Sequence, residues 1–213
     1  MKKLLLCSSL LFLALTACKK EDKSAANASE KAADTLTKKV EIPKDSAAVA
    51  KIWMDYGTPG EPHKRLAADV GKWNEECKFY SKPGAEPTVM KMTVDISMIH
   101  GGRYQYAKHN GSYFGMPFEG TATTGYDNAS GKYFSIWTDN MGTGITYVTG
   151  TYNEASKTYN YAGEMSDPLT KSMKKIRETV ELVNADKQVF TSYDTDENGK
   201  EYKAMEIVMT RAK

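Results

Sequence analysis

After the first eighteen residues the chain has no long apolar run. That excludes a membrane-spanning helix from its body, because about 20 consecutive apolar residues are needed to cross a bilayer. Neither sign of charge is in excess: 29 Lys and Arg stand against 27 Asp and Glu, and two of the lysines are Lys2 and Lys3 at the extreme N-terminus. No basic stripe with interleaved aromatics occurs, so nucleic acid is not expected as a partner. Cysteine is scarce. Cys7 and Cys18 fall in the N-terminal segment, which leaves Cys77 alone. A lone thiol cannot form an internal disulfide, and in an apolar context it reads as a small buried hydrophobe rather than a nucleophile. Also missing are a Gly-x-Ser-x-Gly elbow, a phosphate-cradling glycine loop and a His-Glu-x-x-His pair. His63, His100 and His109 have no metal-ligand spacing, and no cofactor is indicated.

What is present begins with Lys2, Lys3 and an apolar stretch ending in Leu15-Thr16-Ala17-Cys18. A basic start, an apolar stretch of about 12 residues and small residues before a cleavage point describe an export signal over residues 1–17. Its ending resembles the bacterial lipoprotein signal, which implies that Cys18 carries a diacylglycerol and becomes the new N-terminus. Several acyl chains make such an anchor durable where one is marginal. Residues 18–46 are mostly Lys, Glu, Asp, Ala and Ser. They cannot bury a core and read as a disordered, charged linker, reaching about 30 Å as a flexible coil. Lys19-Lys20-Glu21-Asp22 follows the cysteine without an aspartate at the next position. This resembles sorting to the outer membrane, with display at the cell surface as a further expectation.

Residues 47–213 are expected to form the folded domain. Helical turns are predicted at 47–54 and 63–70, separated by Gly57, Pro59, Gly60 and Pro62. Beyond Gly71 the period falls to two. Met92, Val94, Ile96 and Met98 alternate with Thr93, Asp95 and Ser97, the pattern of a strand with one packed and one wet face. Comparable runs at 73–80, 103–109, 118–126, 132–138, 144–152, 158–164, 174–184, 188–193 and 201–210 bring the count to about ten strands. Three connections place turn formers between tyrosines: Tyr126 and Tyr133, Tyr152 and Tyr159, Tyr193 and Tyr202. Each predicts a hairpin with tyrosines facing across the pair. The fold class is therefore all-β: an antiparallel meander closed into a barrel, which removes exposed edges, preceded by a short N-terminal helix.

Candidate chemistry lies in polar residues on inward faces. Glu178 shares a strand face with Ile176, Val180 and Leu182. A carboxylate there requires a partner or a wet cavity, and Arg103, after Gly101-Gly102, is the candidate partner; the alternative is that Glu178 marks a register slip or faces solvent at a bulge. Tyr133, Ser135, Trp137 and Asp139 share one face of a strand and Phe134, Ile136 and Thr138 the other. If the first set points inward it forms an aromatic wall with a polar end; if outward, Phe134 and Ile136 are core. Asp194, Asp196, Asn198 and Gly199 open like a calcium loop, but Met205 stands where the bidentate glutamate belongs, so a hairpin turn is the simpler reading. Met90, Met92 and Met98 read as packing rather than soft-metal ligands.

Gly115-Met116-Pro117-Phe118-Glu119-Gly120, Gly125-Tyr126-Asp127-Asn128, the run Trp137 to Gly144 and Gly150, with Gly71-x-Trp73, Asp167-Pro168 and Glu206 to Arg211, together resemble the DUF1579 family across residues 57–211. The resemblance implies a lipocalin-like or calycin-like barrel and, since that family is uncharacterised, no catalytic residues. One departure is visible: no glycine separates Thr170 from Lys171. The expected function is binding of a small apolar or amphipathic ligand inside the barrel, with Trp73, Arg103, Tyr126, Trp137, Asp139 and Glu178 as its lining. The alternatives are an envelope lipoprotein acting through its outer surface, and an enzyme using Asp139, Glu178 or His100 as acid or base.

Overall fold

The computed structural model describes residues 42–213. The expected export signal at 1–17, the expected lipidation of Cys18 and the expected linker as far as residue 41 lie outside the described residues. Ala47–Lys213 form one compact unit. Helix α1 (Ser46–Gly57) and helix α2 (Glu61–Ala67) precede ten strands: β1 (Gly71–Phe79), β2 (Thr88–Ile99), β3 (Tyr104–Tyr113), β4 (Met116–Asp127), β5 (Lys132–Asp139), β6 (Thr146–Asn153), β7 (Thr158–Asp167), β8 (Ser172–Asn184), β9 (Lys187–Thr195) and β10 (Glu201–Arg211). Every strand pairs antiparallel with its sequence neighbour, and β1 pairs with β10 from Trp73↔Arg211 to Phe79↔Met205. The sheet is thus a closed barrel without edges.

The period-two pattern explains which face turns inward. Along β1, Trp73, Glu75 and Cys77 are buried while Lys72, Asn74 and Glu76 are exposed. Along β2, Met92, Val94 and Ile96 are buried between exposed Lys91, Thr93, Asp95 and Ser97. Such charged outward positions are the reverse of a lipid-facing barrel, whose outer band is apolar. Among the described residues no helix is long and apolar enough to cross a membrane. Eight strands enclose a space that side chains just fill, and diameter grows with strand number. Ten strands therefore leave room inside.

One end of the barrel has a floor. Pro62 lies in the first turn of α2, and the Gly60 N–H donates to His63 Nδ1 at 3.0 Å, which fixes the helix start. Leu66 then drops into a cluster with Tyr133, Val148, Tyr159, Tyr161 and Ile176. The carbonyl of Leu66 accepts from Gln105 Nε2 at 2.8 Å. Just after the helix, the carbonyls of Ala68 and Val70 accept from Arg211 at 3.1 and 2.9 Å. Helix and barrel are stapled together by strands β3 and β10.

Two of the three tyrosine hairpins form as expected. Tyr126 faces Tyr133 with ring centroids 4.9 Å apart, and Tyr152 faces Tyr159 at 4.7 Å. The third is offset: Tyr193 pairs with Lys203, and Tyr202 with Asp194. Tyr193 lies instead under the Arg177 guanidinium, 3.5 Å from its ring centre. Asp196 Oδ1 accepts the N–H of Asn198 and of Lys200, while Asp194 pairs with Lys174. The acidic run at this hairpin thus shapes its turn and joins β8 to β9.

Candidate functional site

Above the α2 floor the barrel encloses a cavity of about 440 Å³. Its wall is mainly apolar. Trp137, Phe118, Tyr113, Phe79, Phe190, Tyr159 and Tyr161 supply rings, and Met92, Met141, Met165, Met205 and Met209 supply flexible thioethers. Phe79, Tyr113, Phe118, Met165 and Met205 sit where their strands approach the far end, opposite α2, and Met141 lies in the turn after β5. A cavity of this size and composition, with a few convergent polar groups, has the character of a small-molecule site.

The polar groups are unusual in sign. Asp69, Glu75, Asp139 and Glu178 face the cavity together with one imidazole, that of His109. Among the described residues no lysine or arginine lines it. Two of the carboxylates are well satisfied. Asp69 accepts from Gln188 Nε2 at 2.5 Å and from Gln105 Nε2 at 3.2 Å; burial nevertheless pushes its pKa up to about 6. Asp139 accepts the Trp137 indole N–H at 2.7 Å through one oxygen and the backbone N–H groups of Met141 and Gly142 through the other.

The other two are not. Glu75 has a side chain only 1% exposed; its Oε2 lies 3.1 Å from His109 Nδ1, and its Oε1 has no hydrogen-bond partner among the described residues. Glu178, on β8, stands between Tyr161 of β7 and Ser192 of β9 in the registers of those pairs. It forms no ion pair or hydrogen bond among the described residues, and burial alone pushes its carboxyl up to about 7. Burial also pushes Cys77 up to about 12, which makes it an inert wall residue.

Trp137 is held in a defined pose. Its indole is tied to Asp139 and lies near Phe118 with the planes 20° apart. A Cβ at Gly120 would sit 2.5 Å from the indole ring, so only glycine lets the ring lie against β4. His109 meets the same indole edge-on at 5.0 Å. The ambiguous β5 strand is thereby resolved, with Ser135, Trp137 and Asp139 lining the interior.

Of the six residues expected to line the binding interior, Trp137, Asp139 and Glu178 line the cavity, and three lie away from it. Trp73 is wholly buried near the floor: its indole donates to the Asp69 carbonyl at 2.8 Å and the Arg211 guanidinium covers its ring at 4.3 Å. Tyr126 packs between His63 and Tyr133 beside α2. Arg103 does not reach Glu178. The left-handed turn His100-Gly101-Gly102 folds its guanidinium back onto the His100 carbonyl, 3.1 Å away. His100 itself sits at that turn against Tyr104, outside the cavity lining, so it shares no site with Asp139 or Glu178. The sequence reading missed Glu75, His109, Asp69 and the two glutamines. For Glu75 a signal existed, since it lies between Trp73 and Cys77 on one strand face, as Glu178 lies between Ile176 and Val180.

Comparison with curated proteins gives no match. Among solved structures, the crystal structure of Rv2717c from M. tuberculosis is similar, with a TM-score of 0.51 at 12% identity, covering 73% of this chain and 100% of that one. A redesigned β-barrel has a TM-score of 0.37 at 11% identity, covering 70% of this chain and 95% of that chain. The likeness to Rv2717c is one of fold. Residues 58–211 match the DUF1579 family, described as a protein of unknown function. The chain belongs to the DUF1579 family.

Proposed function

We propose that this barrel binds a small apolar or amphipathic molecule in its interior, and that it works as an exported protein held on a membrane by lipid on Cys18. The cavity of about 440 Å³ behind an aromatic and methionine wall carries the first part of the reading. Methionine is polarisable and has several rotatable bonds, so such a wall adapts to more than one apolar shape. Native mass spectrometry of the purified protein with 1-decanol is expected to give a one-to-one complex, with quenching of tryptophan fluorescence. Absence of any complex would defeat the reading. The anchor rests on the Leu15 to Cys18 ending, and the outer membrane, with display at the cell surface, is the proposed destination. Palmitate labelling should be lost in Cys18→Ala, and protease added to intact cells should remove the domain.

A second reading, an envelope protein acting through its surface, is favoured by the far-end loops. Phe114 between β3 and β4 is 61% exposed, Ile145 before β6 is 56% exposed and Leu169 between β7 and β8 is 92% exposed. These apolar side chains cluster in loops of one end, where they suit a partner surface. Charge substitution at Leu169 and Phe114 would abolish that role and leave interior binding intact. As for an enzymatic role, Asp139 is held by three N–H donors, and Glu178 is the remaining acid or base of the proposed set with a free carboxyl facing the cavity.

A further inference from the structure

We propose that the interior ligand is an organic cation: an apolar body bearing a protonated amine or similar group, received by Glu178 on the cavity wall, and that fatty-acid-like anions are rejected. The proposal deepens the ligand-binding reading and rests on it.

The inventory of the wall supports a cation in two ways. First, an anion would enter a low-dielectric space faced by four carboxylates and by no lysine or arginine among the described residues. The one imidazole of the wall, His109, is already set against Glu75, so an anion meets no unengaged basic group among the described residues, and an unpaired charge in such surroundings is costly. Second, acceptor capacity is left over inside. Glu178, which lines the cavity, has no hydrogen-bond or ion-pair partner among the described residues. Buried polar groups in native proteins are nearly always hydrogen-bonded, so an unpaired carboxyl on the cavity wall matches a donor that arrives with the ligand. An ammonium group supplies donors and no acceptor, and its charge-assisted bonds are the stronger kind.

The aromatic wall fits the same ligand. Trp137 and Phe118 stand nearly parallel, and the indole is locked by Asp139 and by the contact at Gly120. Fixed aromatic faces attract cations through their quadrupole, and more strongly when water is excluded. A carboxylate ligand gains nothing from these faces. Burial keeps Glu178 close to its titration point, so an arriving cation draws it into the ionised form and the two charges are buried as a pair.

The test uses three probes with the same chain and different heads: decylammonium, 1-decanol and decanoate, titrated into the purified protein by calorimetry at a pH of about 7.5, below their micelle-forming concentrations. The expected order is decylammonium tightest, by about tenfold or more over 1-decanol, with decanoate weakest. In Glu178→Gln the advantage of decylammonium over 1-decanol should fall to within about twofold. The probe order on the unaltered protein stands independently of whether that variant folds. Equal binding of decylammonium and 1-decanol, or tighter binding of decanoate, overturns the cation proposal and leaves the ligand-binding reading in place. No binding of any of the three overturns both.

Discussion

Glu178 shows how one side chain links burial, protonation and stability. Its carboxyl is pushed up to about 7 because the barrel desolvates it and no neighbour compensates. A raised acid holds its proton more tightly in the folded state than in the unfolded one. Its contribution is therefore fully present below the ordinary glutamate range and lost as pH rises through about 7, with an upper limit of about 3 kcal/mol. Asp69, raised to about 6, acts in the same direction at slightly lower pH. Glu178→Gln keeps the shape and removes the charge. Urea melts at pH 5 and pH 8 should show the parent protein losing stability over this interval, while the variant loses about 1 to 3 kcal/mol less. Equal losses in the two proteins would show that Glu178 is solvated. Lys171 offers a second residue-scale case. Its φ of +54° places it in the left-handed region at the β7–β8 turn, immediately after Thr170, where the family resemblance anticipates a glycine. Lys171→Gly is expected to raise stability by about 1 kcal/mol in thermal or chemical denaturation, because the left-handed conformation strains any side chain bearing a Cβ.

At the level of elements, α2 is short yet decisive, since it closes one end of the cavity. Leu66 is its apolar anchor and is 2% exposed among Tyr133, Tyr159 and Tyr161. Leu66→Ala should cost about 2 to 5 kcal/mol in denaturant unfolding and enlarge the cavity at its floor, with the hydrogen bonds of Gln105 and Arg211 still holding the turn. The strands themselves were readable in the sequence because alternation is a backbone property: every expected strand overlaps an observed one, and the ends differ by a few residues. Less was readable where two faces of a strand have similar chemistry. On β5, Phe134 and Ile136 look like core, yet Phe134 lies on the outside beside Tyr104 and covers Gly125. Side-chain partners were readable only in part. The inward face of Glu178 follows from its row, whereas the reach of Arg103 depended on a left-handed turn that directs it to its own backbone. Glu75 and His109 sit on neighbouring inward faces of β1 and β3 without adjacency in the chain, and β2 separates their strands in the sheet. Inside the closed barrel their side chains reach past β2 to 3.1 Å.

For the whole molecule, ten strands and one plugged end produce an interior that is apolar in area and acidic in charge, inside an exterior that is hydrophilic along its strands. Apolar side chains are exposed at the far-end loops and on α1, where Ile52, Trp53, Met54 and Tyr56 reach solvent, so the interior, the loop rim and α1 are places where a partner finds complementary surface. Apart from Met141, which lines the cavity and is also exposed, the interior and the exterior carry different methionines. Met92, Met165, Met205 and Met209 line the cavity, while Met54, Met116 and Met173 are exposed outside it. Methyl NMR of the methionine-labelled protein during titration with 1-decanol separates the two directly. A hollow, ligand-binding barrel predicts saturable shifts at Met92, Met165, Met205 and Met209, with Met54, Met116 and Met173 unchanged. Shifts confined to Met116 and Met173, or none at any methyl, would contradict it.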